Sequence, residues 1–141
     1  MTENRSTISS INPKVLLSTM WLFAMLNFAY GDVVTLMDST QLKQYLTGDI
    51  NGVHLTSSFL LASSIMMEIP IAMILLSRLL KYGLNRWLNV ITGTIWTAIT
   101  VATLFKGSPT PHYVFFSAVE ILATLFIIIY AWRMKAAEFS A

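Results

Sequence analysis

The run LTSSFLLASSIMMEIPIAMILLS, residues 55–77, decides the fold. It holds a single ionisable side chain, Glu68, in twenty-three residues. As a helix it measures roughly 34 Å at the usual rise per residue, enough to cross a hydrocarbon core of about 30 Å. A soluble amphipathic helix keeps one broad polar face, and this run has none. Lipid offers no partner to backbone N–H and C=O groups, so a spanning segment is a helix or part of a closed barrel. The alternation a barrel strand needs is absent.

Three further runs read the same way: residues 15–37, 84–105 and 113–134. The expected fold is all-α, an integral membrane four-helix antiparallel bundle with a tail at 1–14 and another at 135–141. Composition agrees. Hydrophobic residues make up 55% of the chain, charged residues 11%, and the mean hydropathy is +0.66. A soluble domain carries about 25% charged residues. The absence of cysteine excludes disulfides, thiolate metal sites and thiol chemistry. Residues 1–13 are polar and precede a run too long for a cleavable signal, so the first run is expected to serve as an uncleaved anchor.

The connections carry turn chemistry. Thr47-Gly48-Asp49-Ile50-Asn51-Gly52 lies in the longest one, where 41–46 suits a short surface helix. The link around Lys81-Tyr82-Gly83 is tight, and Pro109 and Pro111 stop the third. Basic residues set the orientation. Arg5, Lys14, Arg78, Lys81, Arg86, Arg133 and Lys135 fall on one side, Lys43 and Lys106 on the other. Seven against two puts both termini in the cytoplasm by the positive-inside bias. Trp21, Trp87 and Trp132 then sit at the cytoplasmic interface, with Asn85, Arg86 and Asn89 near the headgroups. The basic residues flank helices rather than forming a patch, which argues against nucleic acid as a partner.

Three carboxylates interrupt the apolar runs: Asp32, Glu68 and Glu120. A charge at mid-bilayer costs about 2.5–3.5 kcal/mol or more, so such groups should face inward. Ser57, Leu61, Ser64 and Glu68 form one helical stripe, and Tyr113, Ser117, Glu120 and Thr124 another. The two stripes are expected to meet at a shared cavity. Asn27 and Tyr30 share a face of the first helix, with Asp32 about 140° from Asn27. Trp96, near mid-helix, is a packing residue or a cavity wall. Pro70 frees the carbonyl of Met66, giving a polar notch beside Glu68 or a plain bend. Met67-Glu68-Ile69 echoes Val119-Glu120-Ile121, by duplication or by chance. His54 and His112 open two helices, but no metal-ligand spacing occurs, and no motif indicates a cofactor.

Trp21-Leu22-Phe23 through Asn27, Tyr30 and Asp32, then Met67-Glu68-Ile69-Pro70, Asn85-Arg86-Trp87 and Tyr113 through Glu120 together resemble the small bacterial four-helix membrane proteins called DoxX-like. The likeness is greatest to the branch with Glu-Ile-Pro in helix two and a Glu in helix four. It implies a multi-pass protein of the bacterial cytoplasmic membrane. Some DoxX-type proteins accompany quinone-linked redox complexes.

Three functions are weighed. In the first, an intramembrane site binds or converts a small lipophilic molecule. Glu68 and Glu120 are its acid/base pair, and Asp32 and Tyr30 orient the ligand. Trp96 is a wall, with Asn27, Ser64, Tyr113 and Ser117 lining. The second is a proton- or cation-coupled transporter working as a homo-oligomer. The third is a non-catalytic subunit of a membrane complex. Membrane lipids are partners in all three.

Overall fold

The computed structural model describes residues 11–135. Four of its five helices are long and apolar enough to cross a membrane: α1 (Pro13–Met37), α3 (Ser57–Leu79), α4 (Tyr82–Leu104) and α5 (Pro111–Arg133). The fifth is the short α2 (Ser39–Thr47), followed by a hairpin of β1 (Asp49–Ile50) and β2 (Val53–His54).

Local chemistry sets the boundaries. Asn12 accepts from Lys14 N at 2.9 Å and Pro13 occupies the first turn of α1, where a missing N–H costs nothing. Asp38 divides α1 from α2. Its N–H donates to Thr35 O, and its carboxylate accepts from Thr40 N at 2.8 Å and Gln41 N at 3.3 Å. Gly48, with φ 72°, ends α2 in the left-handed region open to a residue without Cβ. Asn51 and Gly52 both have positive φ, as a two-residue hairpin turn requires. α3 runs unbroken through Pro70.

The helices pack in the order α3, α1, α5, α4. α3 and α4 share a short turn but touch little beyond it. At one end lie the start of α1, the α3–α4 turn and the end of α5, joined by Arg78 Nε donating to Ser18 Oγ (3.0 Å) and Tyr82 OH donating to Met134 O (2.9 Å). This is the basic end. α2, the hairpin and the α4–α5 loop form the opposite, hairpin end.

The interior mixes small polar residues with an apolar core around Leu17, Trp21, Met73 and Ile127, and the exterior is large and apolar. Asn85, Asn89, Ser77, Ser18, Ser117 and Thr124 are buried, whereas Leu26, Leu61, Ile65, Leu75 and Leu122 are exposed. Small inward residues let backbones approach. A Cβ on Gly93 would lie 2.8 Å from Ile128 Cγ1, and beside it Thr97 Oγ1 donates to Thr124 Oγ1 at 2.7 Å. Close packing and interhelical hydrogen bonds of this kind hold helices together where lipid removes the hydrophobic drive.

At the basic end these bonds converge on Asn89. Its Oδ1 accepts from Trp21 Nε1 at 2.7 Å and Ser77 Oγ at 3.3 Å, and its Nδ2 donates to Asn85 O and Oδ1. Asn85 Nδ2 in turn donates to Ser77 O. Trp21 and both asparagines are fully buried. The sequence placed Trp21 in the interfacial belt and the two asparagines among headgroups. Here all three form the core, because each finds its partner on a neighbouring helix. Trp87 and Trp132 do lie on the surface, edge to face at 5.9 Å, with the Arg86 guanidinium over Trp132.

Replacing Asn89 by leucine removes the acceptor from Trp21 and Ser77. An unsatisfied buried donor costs about 1–3 kcal/mol, so Asn89→Leu is expected to lower the thermal midpoint in detergent clearly. An unchanged midpoint would show that this cluster contributes nothing to stability.

Candidate functional site

Towards the hairpin end the helices separate around a cavity of about 290 Å³. α1 contributes Phe28, Gly31 and Asp32, and α3 contributes Ser63, Met66 and Met67. α4 adds Trp96, Ile99, Thr100 and Thr103, and α5 adds Tyr113, Phe116, Ser117 and Glu120. Tyr45 of α2 reaches in from the end. The α4 residues belong to one inward stripe: Asn85, Asn89, Gly93, Trp96, Thr100, at the i, i+4, i+8, i+11, i+15 spacing of a single helix face.

Five of the residues singled out from sequence meet here: Asp32, Trp96, Tyr113, Ser117 and Glu120. Four do not. Tyr30 points outward and is 67% exposed. Asn27 joins α1 to α5, its Nδ2 donating to Phe116 O at 3.0 Å. Ser64 is exposed and donates to Leu60 O of its own helix at 2.8 Å. Glu68 is exposed on the far side of α3. The expected stripe of Ser57, Leu61, Ser64 and Glu68 therefore faces away from α5. The inward face of α3 runs through Ser63, Met67, Pro70, Met73 and Ser77 instead. Pro70 is buried on that face, about 160° from Glu68 around the helix, so no notch joins them.

Two buried polar atoms on the cavity lack partners, although its threonines are bonded: Thr100 Oγ1 donates to Trp96 O and Thr103 Oγ1 to Thr100 O. Glu120 is 4% exposed and its Oε1 has no hydrogen-bond partner; Trp96 is 4% exposed and its Nε1 has none. One accepts and the other donates. Buried polar atoms are nearly always paired, so these two, of opposite sense, are the exceptions on the cavity lining. Asp32 is the accessible carboxyl of the pair. Among the described residues no Lys, Arg or His lines the cavity. Phe28 meets Trp96 edge to face at 6.2 Å and fixes the indole.

A second cavity of about 550 Å³ lies between α2, the hairpin and the α4–α5 loop. Tyr45, Thr103 and Tyr113 line both cavities, so this vestibule adjoins the first. Burial, with the Asp32 carboxylate and Tyr113 beside it, pushes the Tyr45 phenol up, keeping it a neutral O–H donor. The loop docks on the hairpin through Gly107, where a Cβ would meet Asn51 Nδ2 at 3.1 Å. The histidines are engaged at this end: His54 Nδ1 lies 3.2 Å from Asp49 Oδ2, and His112 Nε2 lies 3.0 Å from Thr110 Oγ1. Among the described residues no three His, Asp or Glu side chains group as metal ligands.

Sequence reasoning did not assign Tyr45, Thr100, Ser63, Met66 or Met67 to the site. Thr100 was legible as the residue one turn beyond Trp96. Tyr45 was not, because its role depends on α2 folding back over the helix ends.

DUF6326, a family of unknown function, matches residues 9–141. No curated protein and no solved structure matches the chain. Nothing in these comparisons links it to DoxX-like proteins specifically.

Proposed function

The chain belongs to the DUF6326 family, and from that premise we propose that its intramembrane cavity binds a small, mainly apolar molecule and acts on the head of that molecule by acid/base chemistry. The observation that carries this reading is the meeting of Asp32 and Glu120, distant in sequence, on one cavity without a basic residue. Glu120 Oε1 and Trp96 Nε1 stand ready for a head that offers both a donor and an acceptor. Phe28, Met66, Met67, Ile99 and Phe116 supply the apolar wall for its body. The volume lies near the small end of ligand pockets, about 300–1,000 Å³. Asp32 takes the place that Glu68 held in the sequence-based pair: it is the more exposed of the two carboxyls and is suited to exchange protons while Glu120 holds the head.

The wider setting belongs to the same proposal. The four long helices form an antiparallel bundle in a bacterial cytoplasmic membrane, with the DoxX-like layout and both termini in the cytoplasm. The seven-to-two distribution of basic residues supports this, as does the gathering of Arg78, Lys81, Arg86, Arg133 and Lys135 around the α3–α4 turn and the end of α5. A homo-oligomer fits as well. Glu68 on the outer face of α3 costs about 2.5–3.5 kcal/mol against lipid, and packing against a second copy relieves it.

One observation favours coupled transport as the second reading. The cavity adjoins the vestibule at the hairpin end, while the Asn89 cluster fills the basic end. A site open to one face alone is one half of an alternating-access cycle.

Dicyclohexylcarbodiimide, a small apolar reagent for carboxyl groups, tests the cavity. It is expected to modify Glu120 in the native chain. Ser117→Phe and Gly31→Leu, which fill the cavity, should each suppress that modification while Glu68, outside it, reacts as before. Mass spectrometry of the labelled peptides reads both. Labelling of Glu120 unaffected by either filling variant, or no labelling there while Glu68 reacts, removes the proposal. Sidedness is checked separately. The chain has no cysteine, so single cysteines at Ser108 and at Lys81 can be probed with an impermeant maleimide on intact cells. Ser108→Cys should react at once and Lys81→Cys only after lysis; the reverse pattern would invert the topology.

A further inference from the structure

We propose that the head group taken by this cavity is a cation, so that its ligand is a small lipophilic amine with an oxygen acceptor close to the nitrogen. The inference rests on the cavity being a ligand site and adds the chemical class.

Charge comes first. Among the described residues two carboxyls line the cavity, and no Lys, Arg or His does. The basic residues of the described chain lie at its two ends. In the vestibule the charged residue is Lys106, which is exposed to water and therefore largely screened. Glu120 lies at 4% exposure with Oε1 unpartnered, and an ammonium N–H satisfies it with a charge-assisted bond, the stronger kind. A neutral hydroxyl would serve Glu120 but leave Asp32 without a donor.

Aromatic rings come second. Phe28, Tyr45, Trp96, Tyr113 and Phe116 come from four different helices to this one space. Ring faces attract cations, by about 0.5–2 kcal/mol each depending on desolvation. Aromatic faces with nearby carboxyls, and no competing base, make a site for an organic cation. The oxygen follows from Trp96, whose unpartnered Nε1 donates and so cannot pair with an ammonium. An ether or hydroxyl oxygen a few bonds from the nitrogen meets it.

Three probes that share a phenoxyethyl frame separate charge from shape. N,N-dimethyl-2-phenoxyethylammonium carries the cation, isopentyl phenyl ether replaces its nitrogen by carbon, and 2-phenoxyethanol offers a neutral donor. The full chain in discs of zwitterionic phosphatidylcholine is labelled with dicyclohexylcarbodiimide, and protection of Glu120 is measured against each probe. The ammonium is expected to protect at about one tenth of the concentration that 2-phenoxyethanol needs, and isopentyl phenyl ether to protect no better than the alcohol. Asp32→Asn should erase most of the ammonium's advantage while leaving protection by the alcohol nearly unchanged. Equal or better protection by 2-phenoxyethanol overturns the cation while the cavity reading stands. Protection by none of the three, with Glu120 still reactive, overturns both.

Discussion

Asn89 holds three helices to one another, and the rest of the architecture follows from where it sits. Its carboxamide accepts from Trp21 of α1 and Ser77 of α3 and donates to Asn85 of its own helix. In lipid, where apolar contact between helices gives no advantage over apolar contact with acyl chains, such bonds and small-residue packing are the available adhesives. The bond to Ser77 lies beside the short α3–α4 turn. Away from that turn α3 follows α1 and α4 follows α5, and the space left between them becomes the cavity. Pinning one end thus permits a hollow at the other.

The three intramembrane carboxylates meet three different surroundings. Glu120 is buried between α5 and its neighbours and lines the cavity. Asp32 lines the same cavity from α1, exposed and near Tyr45. Glu68 lies outside on α3. Met67-Glu68-Ile69 and Val119-Glu120-Ile121 look alike as strings, yet one glutamate faces out and the other in. A duplicated origin, if there was one, has left no functional symmetry between them. The acid/base pair of the proposed site is therefore Asp32 with Glu120, and Glu68 belongs to the outer surface.

The inverted pattern of this interior explains which expectations were reliable. Hydropathy and length marked the four long helices, since crossing a hydrocarbon layer is a local property of a run of residues. The short α2 was legible from 41–46 and a turn from 47–52, but not the two-stranded hairpin that Asn51-Gly52 closes. The roles of Trp21, Asn85 and Asn89 were not. Interfacial tryptophan and asparagine at a helix start look the same in sequence whether they meet headgroups or one another. Tyr45 lies outside every span, and its place at the cavity depends on α2 folding back.

The sequence by itself determined four spanning helices, a basic asymmetry between their ends and three carboxylates at intramembrane depth. Each of these depends only on residues close together in the chain. The tertiary structure alone decided which face of each helix turns inward. A helix that is apolar nearly all round carries little information about its own rotation; α3 could bury the stripe of Glu68 or that of Met67 and Ser77 with similar hydropathy. The choice fell to Ser77 finding Asn89 and to Met73 packing against Leu17 and Trp21. That rotation left Glu68 outside and placed Asp32 with Glu120 around one cavity.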